Sequence, residues 1–400
     1  MLFLVNRLKS WALDNPELPF ALLRSFKPIS SFNGTVLVTR FDDVEEVLSR
    51  PNVFGVTYAE KMGVITAGSN FFLGMNNTEI YARDVSNMRI VMPRTDLKRI
   101  KSLVENYARS LVDAAGEGTF DVVKELSEPV PCHFSAEYMG VPGTTVAELA
   151  EWNTYMFQYL FFPDNPAEVD EKAIDYAAKM RTYLDELIQN RKASEEQKDD
   201  VLGRCLALQA SNTPGMSDEE IRNNLLGIIV GAIPTTSKCV AQVLNYLLDH
   251  PKLLELAQTA ARDDDNEKLQ KMMLECLRFD VFSPGITRIA LEDYTLAKGT
   301  WRAKKITRGT PVVALTKSAM MDARQIDNPK SFRWNRPDYH YLHFGYGMHT
   351  CFGYYINMIQ IPMILKAILR VDKLTREPGE AGKMELRGPF PSHLRVKIGG

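Results

Sequence analysis

One short stretch of this chain has the residues to hold a reactive metal. It is His343–Gly353, in which a single cysteine, Cys351, lies among glycines. Glycines permit a tight backbone that brings a flat ligand close to the main chain and leaves N–H groups pointing at the sulfur. Such hydrogen bonds tune a metal-bound thiolate, and a cysteine thiolate on haem iron favours cleavage of an O–O bond. The alternative for Cys351 is a buried, inert thiol, which is a common fate of cysteine.

The spacing within this stretch is specific. Residues Phe344 to Gly353 fit the pattern Phe-Gly-x-Gly-x-His-x-Cys-x-Gly. This pattern resembles the haem-binding loop of the cytochrome P450 family. The resemblance implies haem b (iron protoporphyrin IX) as the cofactor and Cys351 as the iron ligand. It also implies that Phe344, Gly345 and Gly353 shape the haem loop and that His349 contacts a haem propionate.

Two arginines are further candidates for the haem propionates. Arg288 lies in Pro284–Ala290, a predicted turn and strand, and it matches the family's propionate-binding arginine. A guanidinium group can bind a carboxylate through two parallel hydrogen bonds; the alternative is a surface charge on a strand. The family also has a His and an Arg four residues apart in the helix predicted here at 78–90. This chain lacks that His, and Arg83 is the substitute, unless it is an ordinary solvated arginine.

Residues 217–250 form the longest predicted helix. Ser217 and Glu220 have the spacing of a capping box, and the centre of the helix carries almost no charge. It resembles the family's central helix, which crosses the distal face of the haem. The family pattern there is Ala/Gly-Gly-x-Asp/Glu-Thr-Thr, and this chain has Gly231-Ala232-Ile233-Pro234-Thr235-Thr236.

Pro234 therefore replaces the family's acid, while Thr235 and Thr236 are in place. An acid and an alcohol usually relay protons to oxygen in the family, which is general acid catalysis by a positioned chain of groups. Proline carries no proton and removes a backbone donor, so we expect it to open the helix locally. The resemblance implies catalytic roles for these three residues. Two interpretations of Pro234 are open: a local kink with a water in place of the acid, or a change to a peroxide oxidant.

Glu275 and Arg278 lie three residues apart on a predicted helix at 266–280, so their side chains face each other. They match the family's Glu-x-x-Arg pair, which has a structural role below the haem. The family's third partner of this pair is an arginine, but the aligned position here is Ser331. Arg333 and Arg336 are both candidates to replace it.

Several apolar residues are candidates for a substrate pocket by the same resemblance. Phe71 and Phe72 lie in the irregular stretch 52–75, which is either a substrate-contacting loop or a plain surface loop. The other candidates lie on the central helix, after the Pro284-Gly285 turn and near the C-terminus: Ala232, Ile286, Thr287 and Phe390.

Composition limits the classes of function. Lys plus Arg is 48 and Asp plus Glu is 50, so the formal charge of −2 gives no support for binding nucleic acid or a membrane surface. Five scattered cysteines do not form a disulfide framework or a zinc motif. The apolar start Met1–Val5 is far shorter than the roughly 20 residues of a membrane span, so no membrane anchor is predicted.

Pattern also predicts a strand at 35–39, a helix from Phe41 with Asp42 as its N-cap, and helices at 95–116, 121–142, 146–163 and 167–192. The sequence therefore indicates a mainly helical protein. The resemblance implies the fold class, mainly α with a small β-rich lobe, and a single cytochrome P450 domain over residues 1–400. It further implies a soluble, cytoplasmic, bacterial-type haem-thiolate monooxygenase that oxidises a hydrophobic small molecule with electrons from a separate ferredoxin or flavoprotein. The alternatives are a peroxide-dependent or hydroperoxide-rearranging enzyme, and a haem-binding protein without turnover.

Overall fold

The computed structural model describes residues 17–69, 71–162, 165–194 and 198–399. The apolar start Met1–Val5 lies outside these residues, as does part of the predicted break between the helices at 146–163 and 167–192. The described residues are mainly helical, with 58% in helices and 11% in strands, so the predicted fold class is confirmed.

The described α-helices vary in length from one turn to nearly nine turns. In chain order they are α1 (Glu17–Phe26), α2 (Phe41–Leu48), α3 (Ala59–Ile65), α4 (Glu79–Val91), α5 (Leu97–Ala115), α6 (Pro129–Glu137), α7 (Val146–Phe161), α8 (Ala167–Ala193), α9 (Val201–Ala210), α10 (Asp218–Leu248), α11 (Pro251–Arg262), α12 (Asn266–Phe279), α13 (Thr316–Ala319) and α14 (Tyr354–Leu369).

The described strands are short. In chain order they are β1 (Ile29–Phe32), β2 (Thr35–Val38), β3 (Phe54–Gly55), β4 (Gly118–Asp121), β5 (Ile286–Ala290), β6 (Tyr294–Leu296), β7 (Lys304–Ile306), β8 (Pro311–Ala314), β9 (Leu374–Arg376), β10 (Glu385–Arg387), β11 (Phe390–His393) and β12 (Arg395–Ile398).

Contacts divide the chain into two compact units, and each unit is built from two separate stretches. The first unit comprises residues 1–57 and 283–352. Its described part contains a five-stranded sheet of order β1-β2-β8-β5-β3, in which β2 and β8 run parallel and the other neighbours antiparallel. This is the β-rich part of the molecule, and it also contains the cysteine loop.

The second unit comprises residues 58–282 and 353–400 and holds most of the helices. Helix α10 lies in its core, with Leu225, Ile229 and Leu244 fully buried. Strands β4, β12 and β9 form a three-stranded antiparallel sheet, and β10 pairs with β11. The division does not test the prediction of a single domain over residues 1–400, which stays a prediction.

Three local predictions are wrong. The stretch 52–75 is not wholly irregular, because it contains α3 and a 3₁₀ turn at Phe72–Gly74. Helix α2 is preceded by Arg40 as its N-cap, and Asp42 lies in the first turn instead. Residues 121–142 are not one helix: a π-helical turn at Val123–Ser127 precedes α6, because Pro129 has no N–H to continue the earlier ladder.

Candidate functional site

The cysteine loop closes on itself through backbone hydrogen bonds. The N–H of Cys351 donates to the carbonyl of Phe344 at 2.8 Å. Gly345 and Gly347 have φ angles of 76° and 71°, in the left-handed region that glycine adopts without strain. A Cβ atom on Gly347 would lie 2.8 Å from the carbonyl oxygen of Leu48, so only glycine allows this close approach. The loop conformation therefore depends on the glycines of the motif.

Strand β5 runs beside this loop in the same unit. The Cδ1 atom of Ile286 lies 3.6 Å from the place a Cβ on Gly345 would take. Arg288 is buried, with 5% of its surface exposed, and its Nη1 donates to the carbonyl of Thr287 at 3.0 Å. Burial, followed by the nearby positive charge of Arg288, lowers the pKa of His349 to about 4. Arg288 and His349 are thus near neighbours.

The chemistry of this donor set fits haem. A half-buried thiol at Cys351 is a ligand for iron, and the guanidinium of Arg288 with the imidazole of His349 offers hydrogen-bond donors for carboxylates. The left-handed glycines keep side chains out of the loop. These residues would hold the iron and the propionates, while Phe344, Gly345 and Gly353 would shape the loop; these roles stay predictions.

Helix α10 begins with the predicted capping box. Ser217 Oγ accepts a hydrogen bond from the N–H of Glu220 at 3.3 Å, and Glu220 Oε2 accepts one from the N–H of Ser217 at 2.9 Å. This reciprocal pair satisfies two donors that a helix start otherwise leaves unpaired. The predicted range 217–250 thus agrees with the observed helix to within two residues at each end.

Pro234 does not break α10, which continues through it to Leu248. A proline at this position cannot donate to the carbonyl of Val230, four residues earlier. The hydroxyl of Thr235 turns back onto the helix and donates to the carbonyl of Gly231 at 2.5 Å. The helix therefore continues past Pro234, and the local effect that follows from proline is the loss of this one hydrogen bond.

The two threonines of the motif have different surroundings. Thr236 is fully buried, and its hydroxyl donates to Asn357 Oδ1 at 3.2 Å, which links α10 to α14. Thr235 is only half-buried, as is Ala232 one turn earlier. Thr235 is therefore the better placed of the two for chemistry, and Thr236 has the contacts of a packing residue.

One of the predicted pocket residues, Phe71, packs on α10. A Cβ atom on Gly227 would lie 2.4 Å from the ring of Phe71, so this ring rests on the glycine. The rings of Phe71 and Phe72 lie 4.7 Å apart, and both side chains are buried. Phe390 is buried as well, with the ring of Phe157 5.8 Å away. Their contact with a substrate stays a prediction, as does that of Ala232, Ile286 and Thr287.

Arg83 has carboxylate partners that sequence could not reveal. Its Nε donates to Asp84 Oδ1 at 2.7 Å and its Nη2 to Glu220 Oε1 at 2.8 Å. Gly215 allows this approach, since a Cβ there would lie 2.5 Å from the Arg83 Nε. These pairs tie α4 to the start of α10 and favour a structural role. Contact with a propionate stays a prediction without support from this geometry.

The Glu275–Arg278 pair is fully buried. Arg278 Nε donates to Glu275 Oε2 at 2.9 Å and Nη2 to Oε1 at 2.7 Å, with neither side chain exposed. The two parallel hydrogen bonds give this pair a fixed geometry. Breaking such a buried pair leaves an uncompensated charge, which typically costs about 3–5 kcal/mol. The structural role of this pair below the haem stays a prediction.

Arg333 and Arg336, the two candidates for the third partner of the Glu275–Arg278 pair, have different surroundings. Arg336 is buried, and it donates to the carbonyls of Asp327, Asn328 and Ser331 at 2.6, 2.9 and 2.8 Å. Arg333 lies at the surface and pairs with Asp327. Arg336 therefore stabilises this turn from inside, and it is the better candidate for a buried structural role.

Sequence reasoning missed Lys238. It lies one turn after Pro234 on α10 and has 8% of its surface exposed. The sequence does mark this residue, because Lys238 is the sole charged residue between Arg222 and Asp249. A charge within an apolar helix is costly to bury and so deserves a functional or structural reason.

One described helix, α10, is long and apolar enough to cross a membrane. In this protein, however, 78% of its most apolar stretch is buried by other parts of the chain. This burial is typical of the core helix of a globular protein.

Three comparisons with known proteins agree with one another. "Putative cytochrome P450 133B2" of Xylella fastidiosa is 24% identical over 371 residues, which is 89% of each chain. "Polyketide biosynthesis cytochrome P450 PksS" of Bacillus subtilis is 23% identical over 377 residues, 88% of each chain. The crystal structure of P450BioI with an acyl carrier protein ligated to hexadec-9Z-enoic acid matches at a TM-score of 0.82, with 21% identity, covering 97% of this chain and 100% of that one.

The family model described as Cytochrome P450 matches residues 30–395, which is nearly the whole chain. That range contains the cysteine loop, the buried Glu275–Arg278 pair and the central helix. This chain therefore belongs to the cytochrome P450 family.

Proposed function

We propose that this protein is a haem-thiolate monooxygenase that oxidises a hydrophobic small molecule with dioxygen. The observation that carries the proposal is the closed cysteine loop, with Arg288 and His349 beside it in one compact unit. Family membership supports the same chemistry. A ferredoxin or flavoprotein is the proposed electron donor, and the cytoplasm is the proposed location.

In this proposal each residue of the chain has a separate task. Haem b, when bound, supplies the oxidising iron centre. Cys351 binds the iron, and Arg288 and His349 hold the propionates through their N–H donors. Thr235 holds a proton at its Oγ1 atom and can pass it on, since a hydroxyl both donates and accepts. The phenylalanines at positions 71, 72 and 390 provide apolar surface for the substrate.

Pro234 supports a second candidate, in which a peroxide or organic hydroperoxide is the oxidant. A peroxide is already reduced by two electrons and brings its own protons, whereas dioxygen must gain two electrons and two protons to reach that level, so the family's acid could be dispensed with. Retention of Thr235 favours the first candidate. The name of one structural relative, which binds an acyl chain on a carrier protein, supports fatty acyl compounds as the first substrates to try.

The test compares two oxidants on the same haem-loaded protein. Fatty acids, their hydroperoxides, terpenoids and aromatic compounds are supplied either with NADPH, a ferredoxin and its reductase, or with hydrogen peroxide alone, and products are identified by mass spectrometry. Products that need the electron-transfer chain support the monooxygenase. Products with peroxide alone, or from a hydroperoxide alone, support the second candidate. A haem-loaded protein that forms no product under either condition would be a haem-binding protein without turnover.

The ligand assignment has its own test. Cys351→Ala should remove the thiolate absorption band of the reduced, carbon-monoxide-bound protein, because the sulfur that gives this band is gone. Cys239→Ala is the matched control, since Cys239 is the other half-buried cysteine of the described residues. A thiolate band retained in the Cys351 variant would contradict the assignment.

A further inference from the structure

Lys238 is a buried cation without a buried counter-ion. Its Nζ donates to the carbonyl of Phe282 at 2.9 Å and lies 4.5 and 5.6 Å from the ring centres of Phe282 and Phe390. Among the described residues, no carboxylate oxygen lies within 4.0 Å of this Nζ. Burial lowers the pKa of the ammonium group. An ammonium has three donors, so two remain for another acceptor.

This side chain lines a small cavity inside the second unit, beside Pro234. Arg387, which is exposed, also lines the cavity and likewise has no carboxylate within ion-pair distance in the described part of the chain. The lining includes one carboxylate, that of Glu128, but it pairs with Lys124 at 2.7 and 2.8 Å. Neither cation has an ion-pair partner among the described residues, although Asp280 is near enough to Lys238 to raise the pKa of its ammonium group against the larger effect of burial. Two cations without an ion pair therefore face one cavity, an arrangement that favours an anion.

The remaining walls limit what that anion can be. Ile233 and Phe390, both buried, give the cavity apolar sides, while Ser237 and Thr154 add hydroxyl groups. The cavity holds roughly one group of the size of a water molecule. It is too small for a whole ligand, so an oxygen atom of an anionic head such as a carboxylate would enter it while the attached hydrocarbon chain stayed outside.

We propose that Lys238, assisted by Arg387, binds the carboxylate group of an acidic hydrophobic substrate such as a free fatty acid. This inference deepens the proposed function and rests on it, since it names the substrate class. A carboxylate would satisfy the free donors of Lys238 through charge-assisted hydrogen bonds, which are stronger than those between neutral groups. The exposed Arg387 would add a weaker, solvent-screened attraction at the edge of the cavity.

The test measures binding to the haem-loaded protein by isothermal titration calorimetry, with dodecanoic acid and dodecan-1-ol as probes. The two probes have equal chain lengths and differ at the head group alone. We expect the wild-type protein to bind the acid about tenfold more tightly than the alcohol, as one charge-assisted hydrogen bond would give. Lys238→Gln should abolish this preference, because glutamine keeps a donor for the Phe282 carbonyl but carries no charge. Arg387→Gln should reduce the preference by a smaller factor.

Two further variants separate charge from packing. Lys238→Met keeps the length of the side chain and should behave like Lys238→Gln, whereas Lys179→Gln, which removes an exposed lysine from α8, should leave both affinities unchanged. An acid preference that persists in both Lys238 variants, equal losses for acid and alcohol, or a wild-type protein that binds neither probe would each overturn the inference. Binding is measured without an oxidant, so a protein that oxidises neutral compounds but shows no acid preference would refute this inference and leave the proposed function standing.

Discussion

Pro234 lies in the interior of α10 and leaves the helix intact. The helix continues through it, and the neighbouring hydroxyl of Thr235 donates to Gly231. What the chain loses is a group that holds a proton and the hydrogen bond to the Val230 carbonyl. A proline in the interior of a buried helix carries a cost in stability, and the second proposed function is the one that would explain it through chemistry.

The cost of this proline can be measured. Pro234→Ala should raise the free energy of unfolding by about 1–3 kcal/mol, because an interior proline costs up to about 3 kcal/mol and the space left by the ring offsets part of the gain. Urea unfolding followed by circular dichroism would give the value. Pro251→Ala is the matched control: Pro251 is at the first turn of α11, where proline is well tolerated, so no comparable gain should appear. Equal gains in the two variants would show that position within the helix does not matter.

Single residues also show what sequence can and cannot predict about the site. Cys351, Arg288 and His349 could be assigned because a spaced motif and one strand carry them. The partners of Arg83 could not, because Glu220 is 137 residues away in sequence and comes close only in the folded chain. Lys238 was visible as an isolated charge, but its cavity depends on residues from several separate elements.

Helix α10 has two glycines in its apolar centre with opposite surroundings. A Cβ on Gly227 would lie 2.4 Å from the buried ring of Phe71, whereas a Cβ on Gly231 would meet nothing within 4 Å. The first glycine is therefore required for packing, and the second leaves open space beside the helix near Ala232. The surface of α10 is therefore tightly packed at Gly227 and has open space beside it at Gly231, one turn later.

These glycines give a matched pair of substitutions. Gly227→Ala should lower the free energy of unfolding by about 1–3 kcal/mol through overpacking. Gly231→Ala should raise it by about 1 kcal/mol, since alanine is the better helix former. Thermal unfolding of both variants checks the signs. In the Phe71→Ala variant, Gly227→Ala should cost less stability than it does in the wild-type protein, because the ring that the new methyl group would meet is absent. Additive effects of the two substitutions would contradict the contact.

Among the secondary-structure elements, the long helices with clear apolar periodicity or capping residues could be predicted from the sequence, and the short elements could not. Helix α10 has a capping box at its start, and α7 and α8 are separated by a proline-containing break. Helix α3 and the π-helical turn before α6 depend on contacts and proline positions that a periodic pattern does not capture. The strand at β5 was predicted, but its place between β8 and β3 follows from pairing across the chain.

On the scale of the whole molecule, the four cysteines other than Cys351 differ in how deeply they are buried. Burial raises the pKa of Cys132 and of Cys205 to about 12, and that of Cys276 well above its ordinary value. Their thiolate fractions at pH 8 are therefore very small. Cys239 is half-buried instead.

Iodoacetamide should accordingly modify Cys239 faster than Cys132, Cys205 and Cys276 in the native protein at pH 8, because the thiolate is the reactive form. Peptide mapping by mass spectrometry after short exposure gives the four rates. The same mapping in urea is the control and should make the four rates similar. Native rates that are equal to one another would contradict the burial of these three residues.

The three-stranded sheet of the second unit has a consequence for how the chain is made. Strand β12 lies between β4 and β9 and pairs with both, yet it is the last of these three strands to be synthesised. Strand β4 must then wait, unpaired, through the synthesis of most of the chain. This sheet is complete only after β12 has been synthesised, and a nascent protein cut short before Arg395 would present two open strand edges to its neighbours.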